Sequence, residues 1–418
     1  MDIHTISRIM FNTDKVPADQ PFILRDGQVV FARTLRFFPN QLAEIQIGSN
    51  RLIAKLEVPL ESGKGYWFQA AFQQGELLLK LLSKEAPRTP GPISLNHSPF
   101  PEQKGLQELT NFLMKEPVPL TKEQIFTAGR WLKTVNDQSL AMDVIRFMSR
   151  QNLPFIDSVF QSLFAAVNKT SFTNLMSSLY ESLQQEPKNA PLVQQILQHL
   201  EELLHHGSHQ EKAHTGTGKD VFQHLMRAIK HTGIFYEANM EQLKPELALK
   251  SLLVKYVGIN EAGNTSRNYA EQIILKMNGQ QLFSANNTSV QQIVFTIPLT
   301  VFQQYTELTM QWTAKRKPDG KIDADYCRIL FYLDLQHLKE TVVDMQIQNR
   351  VVTVTLFNES EAIKPLAQTL MPFLKEELKN LDYTLSTVHI RKPANKSPVV
   401  NRLSGLESNP YTGVDIRI

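Results

Sequence analysis

Leu333 to Ile390 reads LDLQHLKETVVDMQIQNRVVTVTLFNESEAIKPLAQTLMPFLKEELKNLDYTLSTVHI, and this stretch decides the fold of the carboxyl-terminal part. Val351 to Leu356 (VVTVTL) alternates strictly, as a strand with one buried face must. Val342 to Ile347 alternates before it, and Gln348-Asn349-Arg350 turns the chain between the two, which makes a β-hairpin. Upstream, Asp325 to Leu335 (DYCRILFYLDL) alternates over part of its length and supplies a third strand. Downstream, Asn358 and Glu361 have capping-box spacing. Leu366, Leu370, Phe373, Leu374, Leu378 and Leu381 then form a helical stripe suited to lie across the sheet. Tyr383 to Ile390 closes the unit as a fourth strand. No catalytic signature falls within it.

This pattern, with the residues quoted, resembles the C-terminal domain of the bacterial flagellar hook-length control protein family, without gaps over about sixty residues. In that family a Leu-x-Pro-x-x-Leu-Gly segment precedes the central strands. Leu333 and Leu338 keep both leucines, whereas Leu335 stands for the Pro and Lys339 for the Gly, a residue that enters positive φ without steric cost. Leu370-Met371-Pro372-Phe373-Leu374 also has the family look, with a proline that kinks or splits the helix. The resemblance implies a non-enzymatic protein-binding factor that meets the cytoplasmic domain of a flagellar export-gate protein and switches type III export from hook to filament substrates. It places the partner contact at Leu335, Leu338, Thr341, Val343 and Met345. Alternating Val343 and Met345 read more readily as core than as contact, and Leu338, in a turn, is the stronger contact position.

The 418 residues exceed one core, and two or three domains are expected. Forty-four basic against 41 acidic side chains give a net charge of +3, too balanced to imply a nucleic-acid partner. Cys327, the single cysteine, lies inside a predicted strand and reads as a small buried hydrophobe in a reducing compartment. No apolar run is long enough for a membrane span, and MDIHTISRIMF lacks the form of a cleavable signal. The expectation is a cytoplasmic chain without stable membrane insertion, exported only if the flagellar apparatus takes it; its oligomeric state stays open.

The predicted fold class is α+β multidomain: an N-terminal small β-barrel over 1–83, a Pro-rich linker over 84–104, a helical bundle over 105–256, a C-terminal mixed sheet with one packed helix over 257–392, and a disordered tail over 393–418. Five short strands carry the barrel: Gln28–Phe38, Leu42–Ile47, Arg51–Glu57, Tyr66–Phe72 and Glu76–Leu82. AEIQIGSNRLIAKLEVPLESGKGYWFQ also resembles a β domain found upstream in members of the same family. Barrels of this size bind peptides or oligonucleotides, so the alternative function is a cytosolic scaffold with a peptide- or RNA-binding barrel. Alternation points Tyr66 and Phe68 to one face and Trp67 to the other. Within the helical part, Thr121 with Gln124 makes a capping box, Asp137 caps a second helix, and Leu192, Ile196, Leu200 and Leu203 stripe a third that starts at Pro191. Val221, Leu225 and Ile229 stripe a fourth, ended by Gly233. Strands then resume with YAEQIILKM (269–277), QIVFTIPL (292–299) and ELTMQWTA (307–314).

His199, His205, His206, His209 and His214 fall close together, yet Gly207-Ser208 breaks the helix between His205 and His209, and no second ligand cluster is evident. The segment reads as a solvated loop, so no metal site and no cofactor are predicted. Gly216-Thr217-Gly218-Lys219-Asp220 mimics part of a phosphate loop but has Ala213 for the first Gly and Asp220 for Ser or Thr. Lys315-Arg316-Lys317 before Pro318-Asp319-Gly320 reads as a solvated hairpin tip.

Overall fold

The computed structural model describes residues 24–73, 75–82, 99–101, 103–168, 170–186, 191–204, 218–233, 248–261, 263–284, 290–301, 304–316 and 322–393. They form an α+β multidomain chain with a five-stranded barrel, a helical region and a C-terminal mixed sheet carrying one helix. Most of the expected linker, most of the histidine-rich loop, the tip at 317–320 and the tail beyond 393 lie outside the described residues; the described end of the linker packs rather than separates, with Phe100 buried and Lys104 opening a helix.

Strands β1 (Gln28–Phe37), β2 (Leu42–Ile47), β3 (Asn50–Leu56), β4 (Gly65–Gln73) and β5 (Glu76–Leu81) match the alternation read in sequence. They close in the order β1-β2-β3-β5-β4-β1, antiparallel except for β3–β5, which is the order of an OB-type Greek-key barrel. Val30, Ile45, Ile47, Phe68 and Leu79 fill it.

Helices α1 (Lys104–Lys115), α2 (Lys122–Thr134) and α3 (Gln138–Arg150) belong to the same compact unit as the barrel, and the two units of the chain part between Phe160 and Gln161. The stretch expected as one helical domain over 105–256 is therefore shared between them. Two contacts explain why. Leu120–Thr121 forms β6, which adds to the sheet beside β1. Trp67, on the outer barrel face, meets Phe31 and Phe100 edge-on at 5.4 and 5.8 Å, and Phe100 meets Phe126 of α2 at 6.0 Å. Apolar surface on the outside of so small a barrel has to be covered, and α2 covers it. Both caps form as read: the Thr121 hydroxyl accepts from Gln124 N–H at 3.2 Å while Gln124 Oε1 accepts from Thr121 N–H at 2.9 Å, and Asp137 Oδ1 accepts from Leu140 N–H at 3.0 Å.

The second unit holds the residues of α4 (Asp157–Val167) from Gln161 on, then α5 (Phe172–Gln184), α6 (Pro191–Leu204), α7 (Gly218–Thr232), α8 (Leu249–Ile259) and α9 (Thr265–Ser284). Tyr269 to Met277, expected as a strand, lies inside α9. Ala270, Ile273, Met277 and Phe283 are buried at helical spacing, and Asn264 Oδ1 accepts from Arg267 N–H at 3.1 Å at the helix start. Packing of this face into the core shared with α5, α6 and α8 overrides the β-propensity of Tyr269 and the two isoleucines. At Gly279 the backbone of α9 approaches α4 so closely that a Cβ would sit 2.0 Å from Ser162 O.

Strands β7 (Val290–Val301), β8 (Gln304–Arg316), β9 (Ile322–Leu335), β10 (Lys339–Gln348), β11 (Val351–Phe357) and β12 (Thr384–Arg391) form one sheet in the order β12-β11-β10-β9-β8-β7. Neighbours are antiparallel except β11 and β12, which α10 (Ile363–Asn380) connects as a crossover. On β9, Phe331 and Leu333 join the helical core, while Cys327 and Ile329 join a smaller cluster under Met371 and Leu378 of α10. All four are odd-numbered and share a face. Cys327 is the small buried hydrophobe expected, and burial pushes its thiol pKa up. The opposite face of β9 and β10 buries an ion pair, Arg328 Nε and Nη2 donating to the two Asp344 oxygens at 2.8 Å each.

Candidate functional site

The β9–β10 turn brackets the positions that the resemblance singles out. Leu335 pairs with Lys339, so Gln336, His337 and Leu338 form the loop, and Lys339 has φ +56°. Lysine thus takes the left-handed backbone that glycine adopts freely. The next hairpin turns through Asn349 and Arg350, at φ +48° and +63°, the paired positive values of a type I′ turn matched to strand twist.

The Asn358–Glu361 capping box does not form. Ala362 is the N-cap of α10 and makes no side-chain cap bond. Asn358 is buried and turns instead toward the loop, its Nδ2 donating to Leu338 O at 2.7 Å, Glu340 O at 3.0 Å and Thr341 Oγ1 at 2.8 Å, while its Oδ1 accepts from Ser360 N–H at 2.7 Å. These bonds supply donors to backbone carbonyls at the turn, and that demand outweighs a helix cap available to solvent. Glu361 pairs with Lys364 at 2.8 Å and Lys392 at 2.6 Å, and the two ammonium groups hold its carboxyl down to about 2.

Of the five predicted contact residues, Thr341 is buried against Asn358, and Val343 and Met345 pack into the cluster beneath α10. Leu335 and Leu338 stay half-buried at the turn. The helix shows a second surface. Its stripe is wider than the sheet beneath it: Ile363 is buried and Met371 and Leu378 are partly so, whereas Leu366, Leu370 and Phe373 are 52%, 60% and 54% exposed. The expectation that this stripe lies across the sheet is corrected: of Leu366, Leu370, Phe373, Leu374, Leu378 and Leu381 only Leu378 joins the cluster, with Met371, while the other five are exposed; at 100° per residue Leu366, Leu370 and Phe373 lie beside the arc of Ile363, Met371 and Leu378. α10 runs unbroken through Pro372. Beside it β12 is an edge strand, bonded among the described residues to β11 alone. The helix that packs on this strand thus keeps an apolar flank exposed.

On the barrel, Trp67 is buried by Phe100 and so offers no open stacking platform. The exposed aromatic side chains there are Phe37, Phe38 and Phe72. Sequence reading missed one constellation elsewhere: His231 near the end of α7 lies with its Nδ1 3.3 Å from His199 Nδ1 and 2.9 Å from Glu202 Oε2, both on α6. Only the His199-x-x-Glu202 spacing was visible, since the third member is remote in sequence. His205, His206, His209 and His214 lie outside the described residues.

Residues 9–80 match the TP0910 S1-like domain family. Over 226 residues the chain is 29% identical to the uncharacterized protein YlqG of Bacillus subtilis (strain 168). That alignment covers 54% of this chain and 38% of YlqG. No solved structure matches. Among the described residues no helix is long and apolar enough to cross a membrane.

Proposed function

We propose that the chain is a non-enzymatic, cytoplasmic protein-binding factor of the hook-length control type, whose C-terminal sheet docks on the cytoplasmic domain of a flagellar export-gate protein to switch export substrate class. The observation that carries the reading is the apolar flank of α10, where Leu366, Leu370 and Phe373 stand exposed on a helix that packs against β12. Exposed, contiguous apolar side chains on a helix are what protein partners recognise. Leu335 and Leu338 present a second, smaller apolar corner at the β9–β10 turn. Thr341, Val343 and Met345 support that corner from within. The resemblance over Leu333 to Ile390 supplies the partner's identity.

The test is a pull-down of purified export-gate cytoplasmic domain with the full chain. Leu370→Asp, Phe373→Asp and Leu338→Glu each change exposed or half-exposed positions, so circular dichroism stays native and capture falls at least tenfold. Wild-type chain that captures nothing, or folded variants that capture normally, would refute the reading.

The match of residues 9–80 to an S1-like domain favours a second reading, a scaffold whose barrel binds single-stranded RNA or peptide. OB-type barrels bind such ligands across strands 2 and 3 and the adjoining loops, and Phe38 is exposed at the β1–β2 loop beside Arg36. Labelled oligoribonucleotide bound with a steep salt dependence, and released in Phe38→Ala, supports this reading. Binding absent at low salt refutes the RNA form.

A further inference from the structure

We propose that His199, Glu202 and His231 form a binding site for a divalent cation of the zinc class, clamping α7 to α6. His199 and Glu202 sit three residues apart on α6, which puts them on one face, and His231 reaches the same point from α7. The three ligand atoms lie within 4.8 Å of one another. Bonds of ~2.0–2.2 Å from zinc to nitrogen or oxygen set neighbouring tetrahedral ligands about 3.3–3.6 Å apart. The Nδ1–Nδ1 separation of 3.3 Å and the Nδ1–Oε2 separation of 2.9 Å already approach that edge. The third edge, from His199 to Glu202, lies within 4.8 Å, and side-chain rotation on the two helices closes the set around the ion.

Orientation is provided as well. Gln198 Nε2 donates to Glu202 Oε1 at 3.4 Å, which leaves Oε2 turned toward the imidazoles, the role that outer hydrogen bonds play in metal centres. The surroundings are half-dry: His231 is 28% and Glu202 32% exposed, and Leu200 and Leu203 of α6 and Ala228 of α7 are buried. A single N–H shared by the His231 nitrogen points well at only one of its two neighbours, whereas a cation takes a lone pair from all three. Two neutral imidazoles and one carboxylate leave one negative charge, which attracts a divalent ion. Three protein ligands leave the fourth position to water. The site is independent of the docking surface on α10.

The experiment uses the untagged full chain, stripped with chelator, dialysed and titrated with zinc chloride by calorimetry. The background carries His205→Asn, His206→Asn, His209→Asn and His214→Asn, so that the connecting segment cannot supply the signal. One zinc per chain is expected in that background, with affinity reduced at least tenfold by Glu202→Gln and lost in His199→Ala and His231→Ala. Absence of saturable binding in the background, or binding unchanged by Glu202→Gln and His231→Ala, overturns the proposal. Should an alanine variant misfold, cobalt(II) loaded into the background chain decides. Intense visible absorption of four-coordinate cobalt supports the site, and the faint spectrum of the aquo ion overturns it.

Discussion

Replacing Asp344 by alanine tests what the buried ion pair does for the C-terminal sheet. The Arg328 and Asp344 side chains are 3% and 5% exposed, and two N–H groups meet two oxygens at 2.8 Å. At an effective dielectric near 20 the gross attraction is about 6 kcal/mol, most of it offset by taking both charges out of water. Removing one partner strands a guanidinium in the interior, and the cost is about 3–5 kcal/mol. Arg328→Met with Asp344→Leu removes both charges, and the pair of changes is expected within about 1 kcal/mol of wild type or above it. Hydrogen exchange read on β9 and β10 peptides separates this sheet from the barrel unit. Asp344→Ala costing less than about 1 kcal/mol, or a double variant as damaged as the single one, would refute the reasoning. The pair also argues for register: slipping β9 by one residue would drive Arg328 onto the face that Cys327 and Ile329 share.

Three further outcomes are expected. Lys339→Gly relieves a left-handed backbone and raises sheet stability by about 1 kcal/mol in the same exchange measurement; a loss would mean that the lysine side chain contributes more than its strain. Gly279→Ala costs about 1–3 kcal/mol against Ser162 O, while Gly258→Ala in α8, with nothing within 4 Å of the new Cβ, gains up to about 1 kcal/mol, so denaturation midpoints should move in opposite directions. Burial pushes the Lys276 ammonium down to about 8, although its Nζ donates to Ala165 O at 2.9 Å. The unfolded chain keeps the ordinary value of 10.5, so it binds more protons between pH 8 and 10.5 and stability rises across that window, with a penalty of about 3 kcal/mol fully present at pH 7. Lys276→Met should abolish this slope, and parallel wild-type and variant profiles would contradict it.

The barrel and the last hairpins were legible because their strands alternate and their turns carry marked residues, Asn40, Gly48, Gly75 and Asn349, each at positive φ. Thr121, Asp137 and Pro191 likewise marked helix starts through local hydrogen-bond needs. What stayed hidden depended on partners remote in sequence. Tyr269 to Met277 holds β-prone residues, and only its burial against other helices makes it α9. Asn358 has a capping residue's chemistry, but the Leu338 and Glu340 carbonyls at the β9–β10 turn claim it. The stripe on α10 was visible as apolar; that Ile363, Met371 and Leu378 are the positions that pack depends on strands remote in sequence. His231 came into view only when α7 was laid beside α6.

The chain of rings from Phe31 through Trp67 and Phe100 to Phe126 bears on how this protein can be divided. A fragment cut after residue 83 would wet an indole that the whole molecule keeps dry, and would strip β1 of the neighbour that β6 provides. Such a piece invites self-association through a raw seam, and any binding it displayed would report the cut. Fragments that keep residues through Arg150 carry their own cover.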